Sequence, residues 1–153
     1  MPDMLVRLYA LPDHNRILKD GNVVRRAAAY EKAAILHWIG QNFSTQWASE
    51  ADVAFSRQPI SCFIALDQER VVGFACYEAT CRGYFGPSGV LEAYRGQGLG
   101  TRLLLECLRS MKEMGYAYAI IGGVGPKDFY AKAVGAIEIP DSTPGIYTAR
   151  LEA

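Results

Sequence analysis

The sequence predicts a single α/β (α+β) domain whose one mixed, mostly antiparallel sheet of about seven strands is flanked by helices on both faces. With 153 residues, the chain is long enough to bury a core within one domain, and 50% of those residues are hydrophobic. Apolar runs of strand length alternate with segments of helical periodicity in the order ββαα, then βββ, then αβαββ. We therefore assign residues 1–153 to one domain.

Charge and cysteine usage limit the classes of partner. Sixteen Lys and Arg residues balance sixteen Asp and Glu residues, so we expect no nucleic-acid or membrane partner. The four cysteines form no CxxC pair, which predicts reduced thiols and no metal site. The N-terminus does not resemble a signal peptide and no apolar run reaches about 18 residues, so a cytoplasmic protein is expected.

The first half of the chain is predicted to contain strands, two helices and a hairpin. The strands lie at 5–11 and 21–27, the helices at 28–42 and 49–59, and the hairpin strands at 62–66 and 71–77. Ile35 and Ile39 follow helical spacing in the first helix. Ser49 is the predicted N-cap of the second helix because acidic residues follow it.

The second half continues with a strand at 83–91, where Gly86-Pro87 predicts a bulge or a local parting of strands because proline cannot donate to a ladder. The remaining elements are helices at 98–114 and 126–135 and strands at 116–122, 136–139 and 145–151. In the longer helix, Leu99, Leu103, Cys107 and Met111 form one apolar stripe that is expected to face the core.

Three glycines alternate at Gly96, Gly98 and Gly100, between a strand and a helix. Glycine permits tight turns and leaves the N–H groups unobstructed, and a helix N-terminus favours an anion. The spacing is GxGxG rather than the GxGxxG of dinucleotide folds, and no GxxxxGK string occurs. The motif therefore predicts a phosphate cradle of another kind.

The pattern Arg95-x-x-Gly98-x-Gly100, which follows a strand containing Val90-Leu91, resembles the pyrophosphate signature of the GNAT superfamily, the Gcn5-related N-acetyltransferases. Residues 128–136 resemble that family's FYxKxGF helix, and the order of elements agrees from about residue 23 to 151. The chain departs from the family at Glu92, Gly123 and Tyr84, where proline, asparagine and glutamate are common. The leading strand at 5–11 is an addition to the common core.

The resemblance implies a GNAT fold and a reaction with acetyl-CoA as cosubstrate, without a metal. Cofactor contacts are implied for Arg95, Gly96, Gln97, Gly98, Leu99, Gly100 and Thr101 around the pyrophosphate, and for the backbone of Ser88 and Val90 along the pantetheine arm. An N–H group near Val90 would polarise the thioester carbonyl. The implied reaction is acetyl transfer to an amine of a small-molecule or peptide acceptor, by direct attack in a ternary complex.

The same resemblance directs Tyr130 at the leaving sulfur as the catalytic residue. Tyr130 lies one turn into a helix, where the dipole is expected to lower the pKa of its phenol. Glu31, Glu50 and Glu78 are candidate general bases, and the sequence ranks none of them first. Residues 43–47 and 145–147 are expected to border the acceptor pocket.

The sequence also leaves open one other function and one other mechanism. A non-catalytic sensor of acyl-CoA would need the same cradle but no base. A covalent mechanism would need a cysteine beside a histidine, and only His14 and His37 are present, in a loop and in a helix. The exposed final strand favours a homodimer formed by strand pairing.

Overall fold

The computed structural model describes residues 1–13, 16–149 and 151–152. Within them, seven strands form one sheet: β1 (Met4–Arg7), β2 (Asn22–Arg26), β3 (Cys62–Asp67), β4 (Arg70–Tyr77), β5 (Tyr84–Val90), β6 (Tyr118–Ile121) and β7 (Ile137–Glu138). The helices are α1 (Lys32–Asn42), α2 (Thr45–Ala54), α3 (Leu99–Glu113) and α4 (Lys127–Val134). The strand order is β2-β3-β4-β5-β6-β1-β7, and the pairing is antiparallel except between β5 and β6. The predicted fold class is confirmed.

Side chains of the sheet alternate between two apolar clusters. In β3, Cys62 and Ile64 belong to the cluster with α1 and α2, whereas Phe63 and Ala65 belong to the cluster with α3. The predicted apolar stripe of α3 is buried, with Leu103, Cys107 and Met111 each at 0% exposure. Helices therefore cover both faces of the sheet, and β4 and β5 lie in the middle of its strand order.

The predicted hairpin is confirmed as β3 and β4, which pair from Cys62↔Cys76 to Asp67↔Arg70. A register shift between β4 and β5 lies between Ala75 and Tyr77, opposite the Gly86-Pro87 dipeptide. The irregularity predicted at that dipeptide is thus present. It directly follows Phe85, the last residue of β5 that pairs with β6.

The N-terminal strand β1 lies inside the sheet, antiparallel to β6 on one side and to β7 on the other. Its Met4 and Val6 side chains are buried in the cluster with α3. The strand expected at 5–11 is shorter than predicted, because a 3-10 turn follows at Leu8–Ala10.

Two further predictions were wrong. The second helix begins at Thr45, not near Ser49, because the Ser44 side chain accepts a hydrogen bond from the Trp47 N–H and caps the helix there. Residues 145–149 form no strand although one was predicted at 145–151, and Arg150 lies outside the described residues. The edge of β6 away from β5 is paired with β1, and the described part of the C-terminal segment adds no strand to the sheet.

Candidate active site

A cleft opens where β5 and β6 separate. The two strands pair only at Tyr84↔Ile120 and Phe85↔Ile121, after which β5 continues to Val90 while β6 ends at Ile121. The resulting cavity has a volume of about 600 Å³ and is bordered by β5, the 121–126 segment, α2, α4 and the C-terminal segment. Its position follows from the parting of the two strands.

The edge of β5 that faces this cleft carries unpaired backbone groups. The Leu91 N–H donates to Val72 O of β4 over 2.9 Å. Successive residues of a strand direct their polar groups to opposite sides, so the N–H groups of Ser88 and Val90 are on the side away from β4. Ser88 lines the cleft, whereas the Val90 side chain is buried. These two predicted positions therefore offer backbone groups to a ligand.

The glycine loop follows directly from the end of β5. Arg95 lines the cleft and its Nε donates to Val90 O over 3.2 Å. Gly96 and Gly98 have φ angles of +80° and +87°, which L side chains rarely adopt, and Gly98 is the N-cap of α3. These conformations present backbone N–H groups at the first turn of a 15-residue helix.

The other predicted loop residues have different roles. Leu99 is buried at 1% exposure and anchors the first turn of α3 to the core. A Cβ atom on Gly100 would lie 3.7 Å from the Phe129 ring, so the start of α3 lies against α4. Thr101 is in the first turn of α3, and Gln97 Oε1 accepts a hydrogen bond from Asn22 Nδ2 over 3.2 Å.

Arg16 is a functional candidate that the sequence analysis missed. Its Nη2 donates to Gly96 O over 3.2 Å, and its Cδ lies 2.8 Å from the position of a Cβ atom on Gly98. The Arg16 carbonyl in turn accepts a hydrogen bond from Arg102 Nη2 over 3.0 Å. A second cation therefore lies on the loop, and no local motif could have indicated it because 80 positions separate Arg16 from Gly96.

Tyr130 lines the cleft on the α4 side, and its ring packs edge to face against Phe85 with centroids 6.2 Å apart. Burial raises the pKa of its phenol to about 12. The expected lowering by the helix dipole was wrong, because the side chain is 9% exposed and α4 has only eight residues. The phenol is therefore neutral at physiological pH and can donate a hydrogen bond.

The three candidate bases differ in whether they line the cleft. The Arg25 guanidinium, through a hydrogen bond, lowers the pKa of Glu31 to about 2, and Glu31 lies outside the cleft in a 2.6 Å ion pair with Arg25. Glu78 is buried, accepts from the Gly83 N–H and the Tyr116 hydroxyl, and also lies outside the cleft. Glu50 lines the cleft.

Residues that were expected to border an acceptor lie at the end of the cleft near α2. Phe43, Gln46 and Trp47 line it, and the rings of Phe43 and Trp47 stack with centroids 5.4 Å apart. Phe43 also contacts Phe74, so this wall is continuous with the core. Tyr147 closes the opposite side.

Three of the four cysteines are buried and do not fit a covalent mechanism, whereas Cys81 is half-buried. Cys62, Cys76 and Cys107 are buried, and hydrogen bonding and burial raise the pKa of the Cys76 thiol. His37 is exposed on α1, and His14 lies outside the described residues.

The described side chains include no group of three or more His, Cys, Asp or Glu residues able to hold a metal ion. None of the described helices has the length and apolar character needed to cross a bilayer.

Comparison with solved structures shows the same fold at low identity. The GCN5-related glucosamine N-acetyltransferase region of a fungal multi-domain GH3 β-N-acetylglucosaminidase is 17% identical with a TM-score of 0.72, over 90% of this chain and 19% of that one. A GCN5-related N-acetyltransferase from Sphaerobacter thermophilus is 18% identical with a TM-score of 0.67, over 90% and 48%. The chain thus spans less than half the length of either protein.

A GNAT family acetyltransferase from Brucella melitensis, solved in complex with acetyl-CoA, is 19% identical with a TM-score of 0.54, over 71% of this chain and 80% of that one. No curated protein matches the chain. The model of the acetyltransferase (GNAT) family matches residues 32–135, which include β5, the glycine loop and α4. This protein therefore belongs to the acetyltransferase (GNAT) family.

Proposed function

We propose that the protein is an acetyl-CoA-dependent N-acetyltransferase that acetylates an amine of a small-molecule or peptide acceptor by direct attack in a ternary complex. The observation that carries this proposal is the separation of β5 from β6. It leaves the N–H groups of Ser88 and Val90 unpaired between the glycine loop and Tyr130.

The residues present fit acetyl-CoA, which supplies the activated acetyl thioester. The N–H groups from Gly96 to Thr101, together with the guanidinium groups of Arg95 and Arg16, form a positive end suited to a pyrophosphate. The free edge of β5 suits an amide-bearing arm that pairs as an additional strand. The Val90 N–H would donate a hydrogen bond to the thioester carbonyl and stabilise its developing charge.

Tyr130 supports the departure of the thiolate as a hydrogen-bond donor. With a pKa of about 12, its phenol is a weaker acid than a thiol of pKa about 8.5, so full proton transfer to the thiolate would be uphill by about 5 kcal/mol. A hydrogen bond that strengthens as charge grows on the sulfur stabilises the transition state without that transfer.

The test is isothermal titration of the purified protein with acetyl-CoA and with S-acetylpantetheine, which lacks the pyrophosphate. We expect micromolar affinity for acetyl-CoA and at least tenfold weaker binding of the truncated thioester, because the loop would lose its anion. Equal affinities would refute the cradle. Thiol release with a panel of amines then tests catalysis, and tight binding without release from any amine would indicate an acyl-CoA sensor instead.

A further inference from the structure

The end of the cleft near α2 contains a carboxylate held by two hydroxyl groups. Thr80 Oγ1 donates to Glu50 Oε2, and Tyr147 OH lies 3.4 Å from the same oxygen. The three residues come from α2, from the segment between β4 and β5, and from the C-terminal segment. Both contacts are made to Oε2, and no hydrogen-bond donor among the described residues contacts Oε1.

Tyr147 is suited to donating a hydrogen bond to this carboxylate. Burial, followed by the nearby Glu50 charge, raises the pKa of the Tyr147 phenol to about 12. The phenol therefore keeps its proton at physiological pH and acts as a donor. The segment that carries it is fixed by Asp3, which accepts from the Gly123 N–H over 2.9 Å and whose own N–H donates to Ser142 Oγ over 2.8 Å.

The charged side chains that line the cleft are separated along β5. Among the described lining residues, Glu50 is the one carboxylate and Arg95 the one cationic side chain. Glu50 contacts Thr80, which precedes the start of β5, whereas Arg95 follows its end. Tyr130 packs against Phe85 near the start of β5, so the expected reaction centre lies toward the Glu50 end.

Aromatic side chains line the same cleft as this carboxylate. Trp47 is one turn before Glu50 on α2, and Phe43, Tyr84 and Tyr147 also line the cleft. Ring faces attract cations, and a carboxylate among them repels an anion. A cationic amine fits this combination, whereas an amine that carries its own carboxylate does not.

We propose that Glu50, positioned by Thr80 and Tyr147, binds the acceptor's ammonium group and receives its first proton, and that the acceptor is a cationic primary amine without an adjacent carboxylate. This inference rests on the proposed acetyl transfer. Glu50 takes one proton from R–NH3⁺, the neutral nitrogen attacks the thioester carbon, and a C–N bond forms as the C–S bond breaks. The second proton leaves the nitrogen for the thiolate, and Glu50 returns its proton to water.

The first test uses the wild-type protein and two matched pairs of probes. These are 2-phenylethylamine with phenylalanine, and n-pentylamine with norleucine, which differ within each pair by one carboxylate. With the protein saturated with acetyl-CoA, we expect kcat/KM to be at least tenfold higher for the amine of each pair. Equal values within both pairs, or no turnover of either amine, would overturn the inference.

The second test compares Glu50→Gln with Asp52→Asn, a matched change on the same helix. Asp52 pairs with Lys32 over 2.8 Å at the surface, so its change should leave activity within twofold. For Glu50→Gln we expect at least a 100-fold loss in kcat/KM for the amines and an unchanged Kd for acetyl-CoA. Wild-type turnover by Glu50→Gln would overturn the inference, while failure of the wild-type protein to bind acetyl-CoA would instead overturn the proposed function.

The third test addresses the positioning role of Tyr147. The Tyr147→Phe substitution removes one hydroxyl and keeps the ring, so we expect the amine KM to rise at least threefold while the acetyl-CoA Kd stays constant. A parallel loss of acetyl-CoA affinity would contradict a role confined to the acceptor end. Thermal unfolding of each variant identifies any loss that arises from misfolding.

Discussion

The ring of Phe43, just after α1, lies across the backbone of Gly89 in β5. A Cβ atom on Gly89 would be 2.6 Å from two ring carbons, closer than real Cβ contacts. Because Phe43 also stacks on Trp47, this contact joins the aromatic wall at the α2 end of the cleft to the strand that borders it. Glycine at position 89 is thus required by the approach of a side chain.

We expect Gly89→Ala to lower the free energy of unfolding by about 1–3 kcal/mol, because the added methyl group displaces the Phe43 ring. Urea unfolding measures the change. Gly125→Ala is the matched control, since a Cβ atom there meets nothing within 4 Å. Adding Phe43→Leu to Gly89→Ala should recover part of the loss, and strictly additive effects would contradict the proposed contact.

We expect Tyr130→Phe to lower kcat at least tenfold and to leave the acetyl-CoA Kd nearly unchanged, because the hydroxyl acts on charge that develops during the reaction. Thiol release and isothermal titration give the two quantities. Tyr118→Phe serves as control, since Tyr118 is exposed and its hydroxyl contacts Tyr9. Unchanged turnover in Tyr130→Phe would remove the phenol from the mechanism.

We expect Gly98→Val to weaken acetyl-CoA binding at least tenfold. The φ angle of +87° disfavours any L side chain, and the new Cβ atom would lie 2.8 Å from Arg16 Cδ. Titration with acetyl-CoA measures the loss. Gly40→Ala in α1 is the control, because its Cβ atom would be in ordinary contact at 4.0 Å from Ala48. Wild-type affinity in Gly98→Val would contradict the assignment of the loop.

We expect Arg16→Ala to weaken acetyl-CoA binding about fivefold, which corresponds to about 1 kcal/mol for one exposed charge contact. The effect should shrink as salt is added, because screening acts on exposed charges. Lys112→Ala removes the same charge at the far end of α3 and should have little effect. Equal losses in the two variants would indicate a general effect of net charge.

The Arg25–Glu31 pair predicts a pH-dependent contribution to stability. The folded pKa of Glu31, about 2, lies below its ordinary value of 4.5, so the stabilisation is complete above about pH 4.5 and is lost as pH falls toward 2. After allowance for solvent screening, we expect Glu31→Gln to lower the free energy of unfolding by about 1 kcal/mol at pH 7. Unfolding measured from pH 7 to pH 3 should show this difference diminishing; a difference that grows toward low pH would contradict the assignment.

The sequence by itself determined the local elements of the site. Two apolar runs on either side of the polar segment 67–70 predicted the hairpin of β3 and β4, and the glycines at 96 and 98 predicted a turn that opens a helix. Both features depend on preferences that act over a few residues. The resemblance to the family correctly gave the fold. The ends of elements were less certain, since a side chain such as Ser44 can cap a helix earlier than the acidic residues suggest.

Only the tertiary structure decided which distant residues meet. Of Glu31, Glu50 and Glu78, folding places Glu50 in the lining of the cleft, where Tyr147, 97 positions away, contacts its carboxylate. The direction of the Tyr130 pKa shift also depended on burial, which the position in a helix does not reveal. These properties depend on desolvation and on contacts between segments far apart in the chain, and neither is encoded in local spacing.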